Sequence, residues 1–255
     1  MSDYLDFDNP TGLRIRGTVI VVPGRGESSD TYRRFGARIA ADSYRVRVLD
    51  GPVSADSAAT ALEQLSTALD DALSGLDAEP VRPLVLVGAD VSAAALAALV
   101  SQATSAAAWW PDGVVLAALP GYGTHDLGDG WEAELDARTH CPVHRGVLTD
   151  DASVHRGRLT DAVADGLLDL VYGSTADVAQ LLLIGDADPL ADHEALARAA
   201  KALPAARLSV VRDAHHDVLN DLQHRSVAAE VVSFLEALRS GPPLRPLVSV
   251  ESSAW

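Results

Sequence analysis

The sequence predicts an α/β fold built on one mostly parallel sheet with helices on both faces. Two observations carry this reading. Short apolar runs alternate with longer Ala/Leu/Asp/Arg segments of helical period along most of the chain, which is how strands and crossover helices of a parallel sheet present themselves. The strand-like runs end in Gly, Pro or Asp, the residues that stop strands and open turns. At 255 residues the chain can bury a core without disulfides or metal, so 1–255 reads as a single domain.

The first strand is Thr18 to Val22, ended by Pro23-Gly24-Arg25-Gly26, after which Asp30 stands where an N-cap would start a helix through Ala40. Tyr44 to Leu49 is the second strand. A helix from about Ser54 to Leu76 follows, with Leu62, Leu65, Leu69 and Leu73 on one face. Leu84 to Val87 is a strand that turns at Gly88-Ala89-Asp90 into the alanine-rich helix Val91 to Ala103. Val114 to Ala118, Leu181 to Ile184 and Leu208 to Val211 supply three more strands, and Asp221 to Leu238 the last helix. Residues 119–179 break the alternation: they hold glycines and histidines, no core strand, and a helical pattern between Gly157 and Tyr172. An insertion of this length in a compact domain is usually functional, and it reads as a lid over the strand ends. The segment 241–255, with Pro242, Pro243 and Pro246, cannot continue the helix and reads as a surface tail.

Composition narrows the function. Asp and Glu number 36 against 20 Lys and Arg, a formal charge of −16, and Lys201 is the only lysine. There is no basic field to attract nucleic acid or an acidic membrane surface, so a small, neutral, mostly apolar substrate is expected. No apolar run approaches the ~20 residues of a membrane span. The acidic N-terminus is unlike a secretory signal, and the single cysteine, Cys141, has no internal partner; a cytoplasmic protein is expected. His140, Cys141, His144 and His155 lack the closed spacing of a structural zinc site, and Pro142 argues against a regular helix through them. No metal and no cofactor is implied. Oligomeric state is not legible.

Chemistry concentrates at three turns. Leu84 to Ser92 is a buried strand, a tight turn with small residues on both sides of Asp90, and a helix: the geometry of a nucleophile elbow. Gly185-Asp186-Ala187-Asp188-Pro189 follows one later strand, and Asp213-Ala214-His215-His216-Asp217 the next. The order is nucleophile, acid, histidine. A carboxylate after a strand is also a common helix cap, Asp186 and Asp217 compete with Asp188, and Ser92 lies within the first helical turn as a displaced alternative.

With these motifs in place, the chain from about Gly17 to Leu238 resembles the α/β-hydrolase superfamily. His216 to Asp221 resembles the histidine region of its monoacylglycerol-lipase-like and lysophospholipase-like branch. The resemblance implies His216, rather than His215, as general base and Asp188 as the acid that orients it. Pro23 to Glu27 resembles the oxyanion loop, with Pro23 where the family has histidine, so N–H groups from Gly24, Arg25 or Gly26 and from Val91 would form the oxyanion hole. Lipases and esterases carry serine where this chain has Asp90. An aspartate there resembles epoxide hydrolases and haloalkane dehalogenases, in which the carboxylate attacks carbon and the histidine then activates water against the resulting ester. Tyr122 and Tyr172 correspond loosely to the lid tyrosines of epoxide hydrolases. Dehalogenases place tryptophan after the nucleophile; here it is Val91, leaving Trp131, Trp109 or Trp110 as substitutes. Epoxide opening is preferred over dehalogenation or ester hydrolysis. Non-covalent lyase or isomerase chemistry, and an inactive ligand-binding pseudoenzyme, are the alternatives.

Overall fold

The computed structural model describes residues 4–51, 56–103, 105–123, 126–249 and 251–253. Its sheet has seven strands: β1 (Leu5–Phe7), β2 (Gly17–Val22), β3 (Tyr44–Val48), β4 (Leu84–Ala89), β5 (Gly113–Ala117), β6 (Ala179–Gly185) and β7 (Ala206–Val211). Their spatial order is β1-β3-β2-β4-β5-β6-β7. All neighbours are parallel except β1, which pairs antiparallel with β3. From β2 the chain moves outward to β3 and then crosses back to β4 on the other side. Strand order therefore reverses between β2 and β4, the place where parallel sheets open a crevice at their carboxyl ends.

Alternate residues of each strand feed opposite faces. Ile20, Val22, Leu84 and Leu86 pack with α2 (Ala58–Ser74), α3 (Asp90–Gln102) and α6 (Leu167–Tyr172). Val19, Val21, Val85 and Val87 pack with α1 (Arg33–Ala41) and α8 (His224–Arg239). The run Asp90 to Val100 of α3 is wholly buried, which is why alanine dominates a helix that touches protein on every side. Between β5 and β6 lie α4 (Gly130–Arg138), α5 (Pro142–Asp150), a 3-10 turn at Arg158–Thr160 and α6; α7 (His193–Ala202) joins β6 to β7.

Four sequence expectations are corrected. Asp30 is not an N-cap: it sits inside a 3-10 turn, Ser29–Tyr32, that runs into α1. Pro142 does not prevent a helix but starts α5 at its first position, where no N–H is needed. The acidic segment near the N-terminus contains β1, a three-residue edge strand too short to read by alternation. The α2 helix begins at Ala58, capped by the Ser57 hydroxyl accepting from Thr60 N–H at 3.3 Å, whereas Ser54 lies outside the described residues. Among the described residues no helix is long and apolar enough to cross a membrane, and the tail from Gly241 forms no helix or strand.

Candidate active site

The loop after β2 and the turn after β4 flank the crevice. At that turn Asp90 has φ +53°, a left-handed conformation that costs an L-residue roughly 1–2 kcal/mol and that Asp tolerates better than most. Close packing enforces it. A Cβ at Gly88 would stand 2.7 Å from the Ala93 nitrogen, and one at Gly24 would stand 3.0 Å from the Asp90 Cβ. The Ser92 hydroxyl donates to the Pro23 carbonyl at 2.6 Å and fastens the loop to the elbow.

Asp90 is buried and surrounded by donors. Arg25 gives its backbone N–H to Oδ2 at 3.0 Å, its Nε to the same oxygen at 2.7 Å, and its Nη2 to Oδ1 at 2.7 Å. His216 Nε2 lies 3.3 Å from Oδ1, an ion-pair distance without hydrogen-bond alignment. A carboxylate has about four lone-pair positions, so Arg25 and His216 between them cover Asp90. Burial would raise the Asp90 pKa, but the Arg25 guanidinium and the His216 ring overcome this and hold it well below the usual carboxylate range. On its other side His216 sets Nδ1 3.0 Å from both oxygens of Asp188. Burial would lower the histidine pKa; Asp188 first, then Asp90, reverse that and raise it to about 10. The resting site is thus a line of alternating charge: Arg25, Asp90, His216, Asp188.

The competing residues have other partners. His215 turns away to Asp221 Oδ2 at 3.1 Å and stacks on His140. Asp186 accepts the Asp213 N–H at 2.7 Å. Asp217 pairs with His144 Nε2 at 2.9 Å and Arg138 Nη1 at 3.4 Å. Sequence reasoning missed Arg138, although its i,i+4 spacing from Glu134 on α4 was a signal. Fully buried, Arg138 binds Glu134 Oε1 at 2.9 Å and donates to the Arg25 carbonyl at 2.5 Å. With the His216 and Asp217 N–H groups bonded to the Ala137 and Arg138 carbonyls, the insertion clamps the β2 loop and the histidine loop together.

Glu27, His144 and Asp217 are the group in the described residues that could hold a metal, with ligand atoms within 4.8 Å of one another. Their bonds are those of a charge network. Arg138 faces Asp217, and Glu27 Oε2 accepts from Gly24 N–H and from the Tyr32 hydroxyl. Burial and the Asp217 charge push the Glu27 pKa up.

Two of the expected oxyanion donors are already engaged within the chain, Gly24 N–H by Glu27 and Arg25 N–H by Asp90. Arg25, Gly26 and Val91 line a cleft of about 900 Å³ shared with His155, Arg156 and Arg158 of the insertion. Tyr122 and Tyr172 stack with ring centroids 5.3 Å apart; their hydroxyls donate to Asp169 and the Pro120 carbonyl. Trp131 packs under Arg156. Trp109 is buried against Ser66 of α2 and stacks with Trp110, just ahead of β5 and so at the opposite end of the sheet from Asp90.

No protein-family model and no curated protein matches the sequence. Solved structures do. A soluble variant of monoglyceride lipase from Saccharomyces cerevisiae superposes with a TM-score of 0.72 at 13% identity, covering 92% of this chain and 91% of that one. Monoacylglycerol lipase from Paleococcus ferrophilus gives 0.68 at 16% identity, covering 94% and 99%. The enol-lactonase from Burkholderia xenovorans LB400 gives 0.68 at 16%, covering 92% and 96%. These neighbours share the α/β-hydrolase fold, and this chain has that fold.

Proposed function

We propose that this chain is a hydrolase of small molecules in which Asp90 attacks carbon, His216 moves the proton and Asp188 holds the imidazole. The observation that carries the reading is the elbow: a carboxylate in a left-handed turn at the switch point of the sheet, 3.3 Å from a histidine whose far nitrogen is held by a second buried carboxylate. Epoxide opening fits best. Asp90 forms a C–O bond as the ring C–O bond breaks, and the His216 imidazolium, charged at neutral pH, is the acid at hand for the leaving oxygen. Neutral His216 then takes a proton from water as the hydroxide adds to the ester carbon. Collapse returns the carboxylate, the diol and the imidazolium, so the cycle balances. A void of about 10 Å³ bordered by Asp90, His216 and Asn220 is close to the least room a water needs.

Dehalogenation fits less well, because among the described residues no tryptophan pairs with Asp90 and position 91 is valine. Acyl transfer fits less well, because position 90 carries a carboxylate where acyl-transfer enzymes of this fold carry serine, and the Gly24 and Arg25 N–H groups are engaged. The coverage of Asp90 by Arg25, with His216 on its remaining side, favours a second reading, in which Asp90 remains an ion throughout and the reaction is non-covalent or absent. A cytoplasmic site of action belongs to the proposal; the lone Cys141 is free and buried.

The test is turnover of epoxides, haloalkanes and activated esters in heavy-oxygen water, followed by mass analysis of the peptide carrying Asp90. The expected result is diol from epoxide with solvent oxygen in the Asp90 carboxylate. Product without label overturns the covalent step and favours the second reading.

A further inference from the structure

The Arg25–Asp90 pair has a consequence for what enters the cleft. Attack by Asp90 requires one of its lone pairs, and Arg25 holds three of the four positions. Arg25 is itself only 8% exposed, and a buried guanidinium drawn off its carboxylate without a replacement is strongly unfavourable. A neutral apolar ligand offers no replacement. An anionic one does, since a carboxylate presents two oxygens to the two-nitrogen edge that Arg25 now gives Asp90, and bidentate pairing of this kind is what guanidinium is built for.

The cleft is furnished accordingly. Its lining carries Arg25, Arg156 and Arg158 against the two carboxylates Asp56 and Asp161; with Arg25 paired to Asp90 the charges balance, and an Arg25 released from Asp90 leaves the cleft wall one positive charge in excess in a chain of net −16. Arg158 pairs with Asp161 at 3.1 Å. Among the described residues Arg156 makes no ion pair; it lies over Trp131 and donates to the Thr149 carbonyl. Arg25 Nη1 reaches the Asp161 carbonyl on the insertion, so the arm that covers Asp90 is also anchored to the wall of the cleft toward which it would turn.

We infer that the substrate is a carboxylate-bearing small molecule, and that its carboxylate takes the Arg25 guanidinium in exchange for Asp90 and thereby uncovers the attacking oxygen. This rests on the proposed function for its chemical step but not for its binding step. The global charge of the chain favours a neutral substrate; the residues that meet the substrate favour an anion. Under this inference Arg25 is the specificity-determining residue, and neutral substrates of the same shape meet a covered nucleophile.

Binding is measured by titration calorimetry with unreactive matched pairs, hexanoate against hexanamide and cinnamate against cinnamamide, on the wild-type chain and on Arg25→Gln and Arg25→Lys. The expected result is a preference of about tenfold or more for the acid in at least one pair, lost in Arg25→Gln and partly kept in Arg25→Lys. Equal affinities in the wild-type chain, or a preference that survives Arg25→Gln, overturn the inference, and the wild-type comparison stands even if a variant fails to fold. Turnover of 3-phenyloxirane-2-carboxylate and its amide in heavy-oxygen water separates the two proposals. Acid preference in binding without label at Asp90 sinks the covalent function and keeps the ligand class. Equal labelling from both substrates keeps the function and sinks the ligand class.

Discussion

Arg25 and Asp90 form an ion pair nearly sealed from solvent, with side chains 9% and 4% exposed, so a double-mutant cycle on them has a calculable outcome. Asp90→Asn keeps the size of the side chain and, like Asp, tolerates φ above zero, so it removes charge without relaxing the elbow. It also turns an amide N–H₂ toward the guanidinium, placing donor against donor. Breaking a buried pair from one side costs about 3–5 kcal/mol, which for a domain of this size is roughly 6–20 °C in Tm. Arg25→Met should cost somewhat less, because His216 still faces Asp90. The double variant removes both charges, so its loss should fall short of the sum of the singles by about 3 kcal/mol. Urea unfolding reads this as midpoints that shift at constant m-value. Single losses below about 1 kcal/mol that simply add would refute a desolvated pair, and with it the reading that Arg25 covers Asp90.

Two further outcomes follow from the same geometry. The His216 pKa in the fold, about 10, lies above its unfolded value of 6.5, so its contribution to stability is complete below pH 6.5 and is lost as pH rises toward 10. Proton NMR of the ring should show an imidazolium through neutral pH, with Asp188→Asn moving its midpoint down; a wild-type midpoint near 6.5 would contradict the alternating charges. Gly88→Ala would set a methyl 2.7 Å from the Ala93 nitrogen, against backbone that cannot step aside, so thermal melts should show a loss of about 1–3 kcal/mol or more; an unchanged melt would show the strand–helix crossing to be loose.

Much of the fold was legible because buried parallel strands must be apolar and their crossover helices must be amphipathic or, like α3, apolar throughout. The predicted strands from Thr18 to Val211 match β2 to β7 within a residue or two, except that Ala179 and Gln180 extend β6 and Ala206 and Arg207 extend β7. What failed was short or context-dependent. Three residues of β1 contain too little alternation to register, and Pro142 reads as a breaker until its place at the start of α5 is known. The candidate site was legible where one strand end supplies one residue: Asp90, Asp188 and His216 each follow a strand of the same parallel sheet, so the fold brings them to one edge. The Arg25–Asp90 pair and the bond from Arg138 to the Arg25 carbonyl were not legible, because they link segments 65 and 113 residues apart; the local i,i+4 spacing of Glu134 and Arg138 signals only their own ion pair.

The alternating charges also bear on how one histidine can serve two steps. In the resting site His216 stands between two carboxylates and holds a proton that a neutral-pH base would have lost. In the proposed cycle, ester formation at Asp90 would remove the negative charge on one side of the ring while leaving Asp188 on the other. One of the two anions that raise the histidine pKa is then gone while its burial, which lowers it, persists. The imidazole is therefore driven toward the neutral form at the stage when a base is needed against water, and it is charged at the stage when the opening oxygen needs a proton. A serine at position 90 has no charge to lose on acylation, so this coupling is available only with the carboxylate that the chain carries there.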